Sequence, residues 1–210
     1  MLKDYIVLHP SNIFSQGEMD ERFEVIDMYD LSNVELASYK CMVILGFVDQ
    51  DFLLEQKQII ADFLVEKKIV CFFGNLVTNW LPGQQPFIAK EIRNHWDYDI
   101  SIAKQHPIFE GVTEEDMTIN RGVKGFFARG HHPAPVDAEV LLTLPDGEPV
   151  TFIDRSSTNG TIFVHAGNNL FASGSMASQT PKTTSRIPVQ LMQWVQEEYN
   201  RLQEEESSNA

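Results

Sequence analysis

Cysteine is scarce in this chain: Cys41 and Cys71 are the two among 210 residues. Two thiols cannot build a disulfide framework. Both sit in apolar runs that read as strands, which suits reduced, buried side chains. Basic side chains are also in short supply, 16 Lys and Arg against 30 Asp and Glu, for a formal net charge of -14. The acidity is shared evenly by the two halves of the chain, so no basic region exists to neutralise phosphates. Nucleic acid and anionic membrane surfaces are therefore poor partners. No apolar run approaches the roughly 18–20 residues of a membrane-spanning helix. The start, Met1-Leu2-Lys3-Asp4-Tyr5, lacks the cationic region and apolar stretch of a secretory signal, and a cytoplasmic location is expected. Gly-x-Gly-x-x-Gly and a Gly-Lys-Ser/Thr phosphate loop are both missing, so a nucleotide has no support and no cofactor is expected.

What the chain does have is core material. Hydrophobic residues make up 43%, enough for one sizeable globular core and against a disordered chain. Tyr5-Ile6-Val7-Leu8, Phe23 to Met28, Cys41 to Leu45 and Ile69-Val70-Cys71-Phe72-Phe73 are short, nearly continuous apolar runs. Strands covered by helices on both faces read this way, as in a parallel sheet. Between the third and fourth runs, apolar residues at Phe52, Leu53, Ile59, Ile60, Phe63 and Leu64 form one stripe and predict a helix over 52–68. Asp49 or Asp51 can cap its start, and Lys67-Lys68 suit its C-terminal dipole. Strand, helix, strand is a βαβ unit. Later, Val140 to Leu144, Val150 to Asp154 and Thr161 to His165 are separated by the turns Pro145-Asp146-Gly147-Glu148 and Ser156 to Gly160. They predict antiparallel hairpins. A last helix begins near Ser185–Pro188 and carries Val189, Met192, Val195, Tyr199 and Leu202 in a stripe. The reading is a single α/β domain over 1–203, mainly parallel with late antiparallel hairpins, and an acidic tail over 204–210 that frays.

Gly46, Gly74 and Gly167 each follow a predicted strand. In a parallel α/β sheet, ligands bind beyond the carboxyl ends of the strands, where glycines let backbone approach a ligand. His9, Ser11, Asn75, His165 and Asn168 place hydrogen-bonding groups on the same edge. A small polar pocket there is the leading site hypothesis; ordinary turn residues are the competing account.

The layout resembles the class I glutamine amidotransferase-like superfamily, nearest its trehalose-utilisation-like branch. The segments that carry the likeness are Lys68-Ile69-Val70-Cys71-Phe72-Phe73-Gly74-Asn75, His106-Pro107-Ile108-Phe109-Glu110-Gly111-Val112, Ala138–Leu144, Gly147-Glu148-Pro149-Val150, Gly160-Thr161-Ile162-Phe163-Val164-His165 and the closing helix with Trp194. The resemblance implies a flavodoxin-like three-layer sandwich. It also implies a cysteine nucleophile on the sharp turn after the strand that follows the first clear helix, with a histidine base and an orienting carboxylate. Gly74 stands where the nucleophile would be. His165 stands near the family histidine, but Gly167 occupies the place of the acid two residues on. The resemblance thus points to a pseudoenzyme: a non-catalytic domain binding a small polar ligand or a protein partner. The alternatives are a hydrolase or amidase-like enzyme using Cys71 and His165, and a structural subunit that forms a homo-oligomer.

Three further constellations carry less. His131-His132 invites a metal, but neighbours on an extended segment point opposite ways, so an exposed loop and no metal are expected. Ser173-Gly174-Ser175-Met176 superficially resembles a nucleophile elbow but has no strand in front of it. Phe126-Phe127, flanked by Lys124 and Arg129 in a Gly-rich excursion, packs locally, closes a pocket or anchors a partner subunit.

Overall fold

The computed structural model describes residues 3–10, 20–120, 122–173 and 182–207. In chain order its elements are β1 (Tyr5–His9), β2 (Phe23–Asp27), β3 (Cys41–Ile44), α1 (Gln50–Glu55), α2 (Lys57–Val65) and β4 (Ile69–Phe73). An irregular excursion follows, with β5 (Ile88–Ala89), β6 (Ser101–Ile102), α3 (Glu114–Thr118), β7 (Ile119–Asn120), β8 (Val123–Lys124) and β9 (Gly130–His131). The chain closes with β10 (Glu139–Thr143), β11 (Pro149–Asp154), β12 (Thr161–His165) and α4 (Ile187–Ser207).

One eight-stranded sheet runs in the order β2-β1-β3-β4-β12-β11-β10-β6. The first five strands are mutually parallel, and β12, β11, β10 and β6 pair antiparallel. The α/β architecture read from the apolar runs is thus the observed one. β3, β4 and β12 are buried along their whole length. The sheet alternation sorts their side chains into two cores. Tyr5, Val7, Cys41, Val43, Ile69, Cys71, Phe73 and Phe163 face Ile187, Leu191, Trp194 and Val195 of α4. Ile6, Leu8, Met42, Ile44, Val70, Phe72, Ile162 and Val164 face Leu53 of α1, Ile60, Phe63 and Leu64 of α2, and Trp80. At about 1.5–3 kcal/mol per fully buried large apolar side chain, these two layers dominate folding.

The structure departs from expectation in four places. The helix expected over 52–68 is two helices broken at Gln56, whose φ −94° and ψ 9° are non-helical. Its apolar stripe lapses between Leu53 and Ile59, so nothing in the core holds that turn. Asp49 is the cap, accepting from the backbone amides of Asp51 and Phe52. Lys67 takes a left-handed φ of 55°, and the Lys68 ammonium bonds the Leu36 and Ala37 carbonyls instead of the helix end. The tail expected to fray from Glu204 is helical through Ser207. Finally, the two-residue β6 extends the sheet edge against β10, a pairing too short to leave a sequence period.

A buried carboxylate ties α4 to the sheet. Glu198, 4% exposed, accepts from Arg155 Nε at 2.8 Å, Arg201 Nη2 at 2.6 Å and Thr161 Oγ1 at 2.6 Å. Arg155 continues to Glu139 at 2.7 Å, which also pairs with Lys104. Burial alone would raise the Glu198 pKa; the hydrogen bonds from Arg201, Arg155 and Thr161 outweigh it and bring it down to about 2. A depressed carboxyl pKa stabilises above the unfolded value of 4.5, and that stabilisation is lost as pH falls toward about 2. Glu198→Gln is therefore expected to cost about 2 kcal/mol at neutral pH. The melting-temperature gap to wild type should narrow as the pH is lowered through this window. An equal gap at every pH would contradict the assignment.

Candidate functional site

The parallel strands end at one edge, and each is followed by small residues. Leu45-Gly46-Phe47 leaves β3, Gly74-Asn75 leaves β4, and Ala166-Gly167-Asn168-Asn169 leaves β12. Residues 125–129 of the excursion lie across these ends, with Ala128 bridging Gly167 as an isolated antiparallel pair. Together they enclose a cavity of about 530 Å³, within the usual size of small-molecule sites.

The floor is backbone because nothing larger fits. Gly74 has φ +125°, a region strained for any side chain. A Cβ placed on it would lie 2.3 Å from the Gly46 Cα. A Cβ on Gly167 would lie 1.9 Å from the Phe127 carbonyl oxygen and 2.6 Å from His165 Nε2. The turn after β4 is held from three sides. Gly74 N–H donates to the His165 carbonyl at 3.0 Å. The Gly74 carbonyl lies 2.9 Å from His132 Nε2. Gln50 at the start of α1 donates to the Asn75 carbonyl at 2.7 Å while its Oε1 accepts from Val77 N–H and the Trp80 indole.

The structure does not bring Cys71 and His165 into a nucleophile–base pair. The Cys71 thiol is fully buried in the α4-side core, 3.6 Å from the Cys41 sulfur. Burial, then the neighbouring Cys71, pushes the Cys41 thiol up. His165 is also fully buried, with Nδ1 2.7 Å from Thr151 Oγ1 and no carboxylate partner among the described residues. Its Nε2 makes no hydrogen bond among the described residues. Burial, with a smaller contribution from His132, takes its pKa down to about 3, so the ring is neutral at physiological pH.

Of the residues the sequence singled out, Gly46, Gly74, Asn75 and Asn168 line the cavity. His165 lies beneath its floor, under Phe127, whose ring centroid is 4.9 Å away. His9 ends β1, half-buried and outside the lining. Ser11 falls outside the described residues, as does the 174–176 part of the serine-containing loop. The exposed-loop reading of His131-His132 needs correction: His132 is 1% exposed, fixed between the Gly74 and Gln85 carbonyls. Among the described residues no three His, Cys, Asp or Glu side chains converge as a metal site would require. Phe126 and Phe127 do wall the cavity, and Lys124 instead pairs with Asp99. Phe47, Arg129 and Asn169 also line the cavity and were not among the predicted ligand-binding residues. Phe47 and Asn169 sit beside predicted residues and could have been found by extending each strand-end motif; the placement of Arg129 had no local signal.

Neither a family model nor a curated protein matches this sequence. Among solved structures, the chain is similar to the Cytoplasmic Protein STM1381 from Salmonella typhimurium LT2, at 14% identity and a TM-score of 0.45, over 90% of this chain and 82% of that one.

Two outcomes follow from the geometry. Gly74→Ala is expected to lower stability in urea by about 3 kcal/mol, combining φ strain with the clash on Gly46. Gly147→Ala is the control: it shares a positive φ of 81° but has open space around it, and should cost about 1 kcal/mol. Equal losses would show that the Gly46–Gly74 approach is not constraining. His165 should show no imidazole titration by proton NMR between pH 7 and 5. Its folded pKa of about 3 lies below the ordinary 6.5, so it contributes stability in full above 6.5 and loses it as pH falls from there toward 3.

Proposed function

We propose that this chain is a non-catalytic amidotransferase-like domain, of the trehalose-utilisation-like kind, that binds a small polar ligand in the cavity at the carboxyl edge of the sheet. The observation that carries the reading is Gly74. The turn after β4 has the positive φ expected of a nucleophile elbow, yet it bears no side chain, and the Gly46 Cα occupies the space one would need. His165 lies next to the same turn with Thr151, a hydroxyl, where an acid would be required. The strand order β2-β1-β3-β4-β12 supports the binding half of the proposal. It is a doubly wound order of the flavodoxin kind, in which ligands sit beyond the strand ends near the switch point.

Two measurements test it on the full chain. Incubation with glutamine should release no ammonia above the rate in buffer, and iodoacetamide should leave Cys71 unmodified in the folded protein. Amide resonances of Gly46, Gly74 and Gly167 should move together on titration with at least one member of a panel containing a sugar, a neutral amide and a carboxylate. Ammonia release would remove the first half of the proposal; a panel that moves none of these glycines would remove the second.

A further inference from the structure

The lining of the cavity narrows what it takes, and this step rests on the binding half of the reading above. We infer that its ligand is a small organic monocarboxylate, held by the Arg129 guanidinium with an apolar body lying against Phe47 and Phe126.

The charge pattern is the first support. Among the described residues, Arg129 is the one charged residue in the lining, and no Asp or Glu belongs to it. In a chain with 30 acidic residues and a net charge of -14, an acid-free cavity with a cation is a local reversal of sign. Other cations at the same end of the excursion are neutralised in place: Lys90 by Asp146 and Glu148, Lys124 by Asp99. Arg129 has no carboxylate partner among the described residues. Its Nε donates to the Gly125 carbonyl at 2.8 Å, which orients the planar guanidinium and leaves both terminal amines for a ligand. That is the fork a carboxylate accepts in two parallel hydrogen bonds.

The second support is apolar. Phe47 is 91% exposed and Phe126 is 49% exposed, and both line the cavity. A ligand carrying only polar groups would leave these rings in water; one with an apolar body covers them and takes their apolar surface out of water. Asn168 holds this wall in place, its Nδ2 donating to the Phe126 carbonyl at 3.0 Å. A single arginine balances one negative charge, which favours a carboxylate over a phosphate dianion. The floor of Gly46, Gly74 and Gly167 offers backbone, and no second cation lines the cavity among the described residues.

Benzoate, benzamide, acetate and phenyl phosphate, titrated into the full chain and followed through the Gly46, Gly74 and Gly167 amides, separate the terms. Benzoate should bind at least about tenfold more tightly than benzamide, which has its shape without its charge, and than acetate, which has its charge without a ring. Added salt should weaken benzoate and leave benzamide unaffected. Arg129→Gln should remove the benzoate preference, Arg129→Lys should restore part of it, and Phe126→Ala should weaken benzoate alone among the carboxylates. Benzamide binding as well as benzoate would overturn the carboxylate assignment while leaving a polar-ligand site intact, and phenyl phosphate binding more tightly than benzoate would overturn it in favour of a phosphate. If none of the four moves these glycines but a sugar does, the inference falls alone; if nothing moves them, the binding proposal falls with it. The ligand comparison and the salt dependence use the wild-type chain, so the test stands even if a variant fails to fold.

Discussion

The approach of two backbones, Gly46 leaving β3 and Gly74 leaving β4, is the constraint on which the site depends. A Cβ on Gly74 would be 2.3 Å from the Gly46 Cα, far inside van der Waals contact. Because neither residue has a side chain, the two strand ends close against each other and the edge becomes a flat floor of peptide groups. The same contact leaves no room for a side chain at residue 74.

That floor is stiffened by polar groups that have no role in the hydrophobic count. Gln50 donates to the Asn75 carbonyl and accepts from the Val77 N–H and the Trp80 indole. His132 reaches the Gly74 carbonyl from the excursion. Each is buried, so each lost hydrogen bond would leave an unsatisfied partner at a cost of about 1–3 kcal/mol. The turn after β4 is held by these buried hydrogen bonds, while the exposed Phe47 and Arg129 are left to face whatever enters. At the opposite side of the sheet Glu198 fixes α4 in a comparable way, by pairing two arginines and a threonine.

Much of the frame was legible in the chain because burial on both faces leaves a short-range mark. Cys41–Ile44, Ile69–Phe73 and Thr161–His165 read as strands from their apolar runs and are strands. The break at Gln56 was not foreseen, since a stripe of six apolar residues obscures the polar turn within it. His131-His132 was misread for a related reason. Adjacent histidines look like surface in a Gly- and Pro-rich stretch, and the partners that bury His132 are carbonyls at Gly74 and Gln85, remote in sequence. Short pairings such as β6 on β10 or β5 on β9 span two residues and have no period to detect.

The amino-acid sequence by itself determined the parallel frame and the glycine after each central strand, because these depend on local periodicity and on the identity of single residues. Tertiary structure alone decided that residues 125–129 roof the strand ends, that Arg129 stands without a carboxylate partner among the described residues beside two exposed phenylalanines, and that His165 is a neutral buried ring under the floor. Those facts are set by contacts between segments far apart in the chain, whose energies come from packing and desolvation after the sheet has formed, and no local pattern of residues records them.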